Sequence, residues 1–199
     1  MGGPSAKRVL AHDVGARAGA DWSLETASMN PARHLQTGRL LLRPVSWRDL
    51  TNLTILKGDP RAYAPMLGGV RTPLLVADEL AEEISAWSAL GYGMFAVHTR
   101  EAPRFVGIAG LQDRPDGRGV ALRFALRPEE QGHGFASEAA AAVLLYGHER
   151  CGLGRIVAVA REDNIASRTV LGAIGMVECG QFLRDGVALL IFESLRKTT

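Results

Sequence analysis

The chain has 199 residues, a length typical of one domain with some additional sequence. It contains 23 Lys and Arg against 21 Asp and Glu, so its formal net charge is +2, and 47% of its residues are hydrophobic. These values describe an ordinary globular composition and exclude whole-chain disorder, a collagen-like chain and a polycationic nucleic-acid coat. The basic residues form no stripe interleaved with aromatic residues, so we do not expect a nucleic-acid partner.

Cysteine usage and hydropathy indicate which cellular compartment and which kinds of site to expect. Cys151 and Cys179 are the only cysteines of the sequence, and their spacing fits neither a disulfide framework nor a zinc site. The longest apolar stretch, residues 139–147, is far shorter than the ~20 residues of a membrane span, and the first residues lack the apolar segment of a secretory signal. We therefore expect a cytoplasmic protein, a monomer or a homodimer, without a metal or a membrane partner.

The first part of the chain differs from the rest. Residues 1–36 show no sustained apolar period, whereas strand-like alternation begins at Arg39. We predict a disordered tail over 1–36 and a single domain over 37–199. The basic residues of this tail are also compatible with a transit peptide, but its three acidic residues count against one. An upstream extension, with Met29 as an alternative start, is the favoured interpretation.

Apolar periodicity and turn residues predict the elements of the domain in chain order. They are a strand over 39–43, a helix over 47–57, an irregular connection over 58–73, a helix over 75–90, strands over 94–99, 104–111 and 120–126, a helix over 135–148, a strand over 155–160, a helix over 165–173, and a hairpin of strands 181–183 and 187–192. Trp47 and Trp87 are interpreted as core anchors of their helices. A strand–helix–strand crossover within an otherwise antiparallel sheet indicates the α+β class.

A glycine loop precedes the alanine-rich helix. Gly132 and Gly134 allow a ligand to approach the backbone, and the helix that begins at about Phe135 directs unpaired N–H groups to the same point. This arrangement is typical of a phosphate site, although a tight strand-to-helix turn needs glycine as well. The loop does not match a dinucleotide fingerprint, because Ser137 stands where that fingerprint has its third glycine.

Four stretches of the sequence together form a recognisable pattern. They are Thr37 to Pro44 at the first strand, Leu126-Arg127-Pro128-Glu129-Glu130 before the loop, Gln131-x-x-Gly134-x-Ala136 followed by Ser137-Glu138-Ala139, and Asn164-x-x-Ser167-x-x-Val170-Leu171. On these stretches, the chain from about Thr37 to Arg196 resembles the GCN5-related N-acetyltransferases (GNAT), and most of all their ribosomal-protein (RimJ/RimL-like) branch.

The resemblance implies a mostly antiparallel, splayed sheet of six to seven strands with helices on both faces. It also implies acetyl-CoA as cosubstrate, with its pantetheine arm along residues 120–126 and its pyrophosphate on the amides of Gly132 to Ala136. A backbone N–H near Ala125 or Leu126 would polarise the thioester carbonyl. The implied contacts are Phe124, Ala125, Leu126, Gln131, Gly132, His133, Gly134, Phe135, Ala136, Ser137, Asn164 and Ser167.

The implied reaction is direct attack by a primary amine, either a protein N-terminal α-amine or a small molecule. Many relatives carry a tyrosine acid seven residues after the asparagine. Leu171 stands there in this chain, which leaves Ser167 as the candidate general acid. Alternatively, Asn164 is only a helix N-cap and Ser167 an ordinary residue of the first helical turn.

The general base is unassigned. Relatives often have an acidic residue where this chain has Ala121, so the simplest hypothesis is that water accepts the proton. Arg123 is interpreted as a strand charge facing solvent, or else as a contact to substrate or phosphate. Other charged residues are interpreted as unrelated to catalysis: Glu129 and Glu130 as exposed loop charges, His98 as a strand residue and His133 as a loop residue. The missing acidic residue also leaves open a catalytically silent acyl-CoA-binding regulatory module.

Overall fold

A computed structural model of the protein describes residues 33–197, so the prediction of a tail over residues 1–32 lies outside the described residues. The strands are β1 (Leu35–Gln36), β2 (Leu40–Pro44), β3 (Met94–Thr99), β4 (Phe105–Asp113), β5 (Val120–Leu126), β6 (Arg155–Arg161), β7 (Val177–Arg184) and β8 (Val187–Leu195). The helices are α1 (Leu50–Gly58), α2 (Pro60–Tyr63), α3 (Pro73–Leu90), α4 (Phe135–Glu149) and α5 (Ile165–Ala173), with 3-10 turns at Trp47–Asp49 and Pro128–Glu130.

In this part of the chain the strands form one eight-stranded sheet in the order β1-β2-β3-β4-β5-β6-β8-β7. Neighbouring strands are antiparallel except β5 and β6, which are parallel and joined through α4. This confirms the predicted α+β class with a mixed, mostly antiparallel sheet. The sheet has one strand more than the upper expectation, because Leu35 and Gln36, which the sequence placed in the tail, pair with Leu42 and Leu41 of β2.

Apolar side chains pack on both faces of the sheet. On one face, Leu53 of α1 and Leu80 of α3 share a cluster with Ala125 of β5. On the other face, Val143 of α4 shares a cluster with Leu122 of β5 and with further core residues. Since successive strand side chains point to opposite faces, Arg123, between Leu122 and Phe124, lies on the same face as Ala125, towards α1 and α3.

The boundaries of α3 follow from local chemistry. The helix begins at Pro73, two residues before the predicted start, since proline lacks only an N–H that the first helical turn leaves unpaired. The Thr72 hydroxyl accepts a hydrogen bond from the N–H of Leu75 at 3.3 Å, and Gly91 with φ +76° ends the helix.

Two other expectations are corrected. The connection over 58–73 is not wholly irregular, because Asp59 accepts a hydrogen bond from the N–H of Arg61 at 2.9 Å and so starts α2. Trp47 is not a core anchor: it is 55% exposed, whereas Trp87 is 4% exposed and donates from its indole N–H to the carbonyl of Met94. Trp47 precedes α1 in a short 3-10 turn, so its side chain does not follow the buried face of that helix.

Candidate functional site

The sheet opens between its two parallel strands. β5 and β6 pair at a single position, Ala121 with Val157, and then diverge. The divergence leaves a cavity of about 380 Å³. Its lining comes from β5 (residues 121–124), β6 (158–161), α5 and its N-cap (Asn164, Ser167 and Leu171), the end of β4 and the turn after it (112–116), the connection before α3 (65–68 and Arg71) and Arg184 of β7. A cleft of this size, between separated strands, is typical of a site for a small ligand.

The β4–β5 ladder determines which amides face this cleft. The N–H of Arg127 donates to the carbonyl of Val106 at 2.9 Å, which extends the register that pairs Ala125 with Ile108. Because strand amides alternate in direction, the N–H of Ala125 points to β4, while those of Phe124 and Leu126 point away from β4, to the side on which β6 diverges. Gln131 also donates to the carbonyl of Leu126 at 3.2 Å. Of the two amides expected to polarise a carbonyl, the geometry therefore favours that of Leu126.

The glycine loop lies at the C-terminal end of β5. Gly132 and Gly134 have φ values of +79° and +77°, in the left-handed region that favours glycine. Helix α4 begins at Phe135, as predicted, and Gly134 at its N-cap offers no side chain to the first turn. Within residues 33–197, no described hydrogen bond uses the N–H groups of Phe135, Ala136 or Ser137. These amides and the positive end of the helix can therefore hold an anion.

Arg39 of the β1–β2 turn lies against this loop, which the sequence did not indicate. Its Nη1 donates to the carbonyl of His133 at 2.9 Å, its Nε donates to Glu138 at 2.7 Å, and its guanidinium lies 4.8 Å from the ring centre of Phe135. Burial opposes ionisation of Glu138, but hydrogen bonds from Thr37 and Arg39 outweigh it and lower the pKa of this carboxyl. The Glu138 carboxylate thus connects the edge of the sheet to the start of α4.

Asn164 and Ser167 both line the cleft at the start of α5. Asn164 Oδ1 accepts a hydrogen bond from the N–H of Ser167 at 3.1 Å, which is the N-cap role considered as the alternative. This hydrogen bond uses neither the Nδ2 group of Asn164 nor the hydroxyl of Ser167. The structure therefore brings both residues beside β5 across the cleft, and the role of Ser167 as an acid stays a prediction.

Two acidic residues before the loop differ in their surroundings. Glu129 is exposed, as expected, but Glu130 is buried and forms hydrogen bonds of 2.7 and 3.1 Å with Arg104. The interpretation of Glu130 as an exposed loop charge is therefore wrong, because Arg104 reaches it from the start of β4. The bond from Arg104 lowers the pKa of Glu130. His98 lies in β3 and His133 in the exposed loop, as expected.

Arg123 does not face solvent. Its side chain is half-buried, and Nη1 donates to Gln112 at 2.6 Å. It lines a second cavity of about 130 Å³ on the face of α1 and α3, which also contains Lys57, Tyr63, Glu79 and Glu83. The sequence did not indicate this cluster, because the helices that carry its charged residues are separate in the chain and meet only in the fold. The one local signal was the pair of glutamates four residues apart on α3.

Residues 33–197 contain neither a candidate metal site nor a helix suited to a membrane. No group of three or more His, Cys, Asp or Glu side chains in this range is arranged to hold a metal ion. None of its helices has the length and apolar character to cross a membrane.

Comparison with known proteins identifies a family whose model matches the chain and a relative of similar sequence. A family model described as an acetyltransferase (GNAT) domain matches residues 39–177. The chain is 28% identical over 153 residues to the uncharacterized N-acetyltransferase YnaD of Bacillus subtilis, covering 75% of this chain and 85% of that protein.

Solved structures of two acetyltransferases are similar to the fold of this chain. A GNAT-family acetyltransferase structure from Bordetella pertussis is 25% identical, with a TM-score of 0.71 over 80% of this chain and 98% of its own. RimL, a ribosomal L7/L12 α-N-protein acetyltransferase in complex with coenzyme A, is 17% identical, with a TM-score of 0.67 over 81% of this chain and 97% of its own.

Proposed function

Because the chain belongs to the GNAT acetyltransferase family and is an N-acetyltransferase, we propose that it transfers the acetyl group of acetyl-CoA to the α-amine of a peptide or to a small amine of similarly low pKa. The observation that carries this proposal is the cleft between β5 and β6, together with the glycine loop that follows β5 and the amides at the start of α4 that no described hydrogen bond uses. Such a cleft holds an extended thioester arm and a diphosphate at the same time.

The residues around the cleft suit the parts of acetyl-CoA. The amides of Gly132 to Ala136 would bind the pyrophosphate, and the Ser137 hydroxyl would add a donor. The pantetheine arm would lie along Phe124 to Leu126 and take a hydrogen bond from Asn164. The N–H of Leu126, which points to the side on which β6 diverges, would stabilise negative charge on the carbonyl oxygen during attack.

The transfer itself needs little covalent chemistry from the protein. The amine nitrogen forms a bond to the carbonyl carbon and releases one proton, the carbon–sulfur bond breaks, and the thiolate leaves with the electron pair. Ser167, at the cleft surface, would donate a proton to this sulfur. An amine can attack only in its neutral form, so the pKa of the acceptor affects the rate.

Two arguments support the choice of an α-amine. At pH 7 about a tenth of a typical α-amine is neutral, against fewer than one in a thousand lysine side chains. RimL, whose fold is similar, is named for acetylation of a protein α-amine. The acceptor would enter over the connection between α1 and α3, because Pro65 to Gly68 line the cleft.

A panel of acceptors tests the proposal. Thiol release from acetyl-CoA is measured with peptides carrying a free α-amine, with the same peptides blocked at the α-amine but containing lysine, and with spermidine. We expect turnover with free α-amines and little with blocked peptides. Preference for the blocked lysine peptides would contradict the proposed acceptor. Binding of acetyl-CoA without turnover of any amine would support a silent binding module instead.

A further inference from the structure

The second cavity adjoins the cleft of the proposed reaction. The two share four lining residues: Met66, Gln112, Arg123 and Phe124. The second cavity lies on the α1 and α3 side of β5, opposite the side on which α4 packs. A volume of about 130 Å³ holds several water molecules. Water in this cavity would therefore lie close to the cleft beside β5.

Glu83 lines this cavity and has one carboxylate oxygen without a hydrogen-bond partner. Its residue is 8% exposed, and Oε1 accepts a hydrogen bond from Lys57 Nζ at 2.9 Å. Oε2 is buried and has no hydrogen-bond partner, the only carboxylate oxygen of this kind among residues 33–197. Burying such an acceptor without a donor costs free energy, so the arrangement points to a donor that enters the cavity.

The carboxylate of Glu79, which lines the same cavity, already has a hydrogen-bond partner on each oxygen. Glu79 accepts from Lys57 Nζ at 2.8 Å through one oxygen and from Arg71 Nε at 2.6 Å through the other. Lys57, which is 1% exposed, therefore holds Glu83 in a fixed orientation while its charge is shared with Glu79. The consequence is one oriented carboxylate with one oxygen that has no hydrogen-bond partner among the described residues.

The carboxylates that line the main cleft are less suitable proton acceptors. Asp113 accepts a hydrogen bond from the hydroxyl of Tyr92 at 2.8 Å. Asp116 is paired with Arg114, and hydrogen bonds from Arg114 lower its pKa to about 2. Asp113 also pairs with Val120, at the start of β5 and so at the opposite end of the strand from Leu126.

We propose that Glu83 accepts the proton released by the attacking amine, through water in the second cavity. The proposal rests on the acetyl transfer proposed above and replaces unassisted loss of the proton to solvent. The amine nitrogen bonds to the carbonyl carbon and gives its proton to a water molecule, which passes a proton to Glu83 Oε2. The thiolate leaves with the electron pair and takes a separate proton, and Glu83 returns its own to solvent after the product leaves.

The surroundings of Glu83 suit a proton acceptor. The charged and titratable groups that line the cavity with it are Lys57 of α1, Tyr63 of α2, Glu79 and Glu82 of α3, and Arg123 of β5, and Arg71 of the connection binds Glu79. Burial raises the pKa of Glu83, while the charge of Lys57 opposes that rise. A carboxylate whose pKa is raised is a stronger base than an exposed one.

The test compares Glu83→Gln with Asp78→Asn, the same carboxylate-to-amide change at an exposed position of α3 that lines neither cavity. The assay is thiol release from acetyl-CoA with the best peptide acceptor of the panel, over a range of pH. We expect Glu83→Gln to lower kcat/KM at least ~100-fold with unchanged affinity for CoA. Asp78→Asn should behave as the wild type.

The pH profile separates a chemical role from a structural one. In the wild type, log(kcat/KM) should rise with slope two where both Glu83 and the amine must lose a proton, and with slope one above the pKa of Glu83. This change of slope should occur at the same pH for every acceptor. Glu83→Gln should show slope one throughout.

Each outcome of these experiments either supports or overturns the proposed role of Glu83. Wild-type activity retained in Glu83→Gln overturns the inference alone, whereas absence of turnover by the wild type with every amine overturns the proposed function and the inference with it. If Glu83→Gln does not fold, the wild-type profile suffices. A slope of one throughout, with a break only at the pKa of each acceptor, refutes the role of Glu83.

Discussion

Replacement of Gly134 by alanine should weaken CoA binding more than it destabilises the fold. An added Cβ would lie on the exposed loop that we propose binds the diphosphate, 3.4 Å from Nη2 of Arg39. Each hydrogen bond from an amide to a charged group is worth about 1.5–3 kcal/mol. Loss of one such bond corresponds to a ~10- to 150-fold weaker Kd.

The same substitution strains the backbone, and the control must match that strain. Gly134 has φ +77°, and an alanine in this region costs about 1–2 kcal/mol. Gly152, between α4 and β6, has φ +68° with no atom within 4 Å of an added Cβ. Gly152→Ala should therefore lose a similar amount of stability, ~2–8 °C in Tm for a chain of this size, without any loss of affinity.

The assay is calorimetric titration of both variants with CoA, together with thermal unfolding of the free proteins. The expected result is a similar fall in Tm for both and a weaker Kd for Gly134→Ala alone. Equal Kd values in the two variants would refute the assignment of the phosphate site to this loop. A β-branched residue at Gly134 would be a poorer test, because its greater strain obscures the effect on binding.

Three further results are expected. Ser167→Ala should lower kcat ~100-fold or more and leave the KM for acetyl-CoA nearly unchanged in steady-state kinetics, since proton donation matters only in the transition state. Glu138→Gln should reduce the fall in Tm between pH 6 and pH 3, because a carboxyl with a lowered folded-state pKa stabilises the fold above its unfolded pKa of ~4.3 and loses that stabilisation as pH falls. Deletion of residues 1–30, which lack apolar periodicity, should leave turnover unchanged and lower Tm by less than ~5 °C.

Local signals account for the agreement between sequence and structure. Strands β3 and β5 and helix α5 have the predicted bounds, because apolar alternation, glycines and the Asn164 cap act within a few residues. The glycine loop and the start of α4 were also predictable, since φ values near +77° at Gly134 demand glycine whatever surrounds it. The family resemblance arises from these same locally readable stretches.

The predictions that were wrong concern residues whose burial or partners depend on other parts of the fold. Glu130 looked like an exposed charge because its partner, Arg104, is 26 residues away. Arg123 looked solvent-facing because a single strand does not show that α1 and α3 cover that face of β5. Trp47 looked buried because aromatic residues usually are, while its place in a 3-10 turn left it exposed.

By itself, the sequence determined the class of fold, the approximate bounds of most elements and the conformation of the glycine loop, because these depend on propensity, periodicity and backbone conformation over short spans. Only the tertiary structure decided where β5 and β6 separate, which amides of β5 face the cleft, and that Lys57 meets Glu83 across 26 residues of chain. Burial, hydrogen-bond partners and shifted pKa values are properties of packed elements, and no short stretch of sequence contains them.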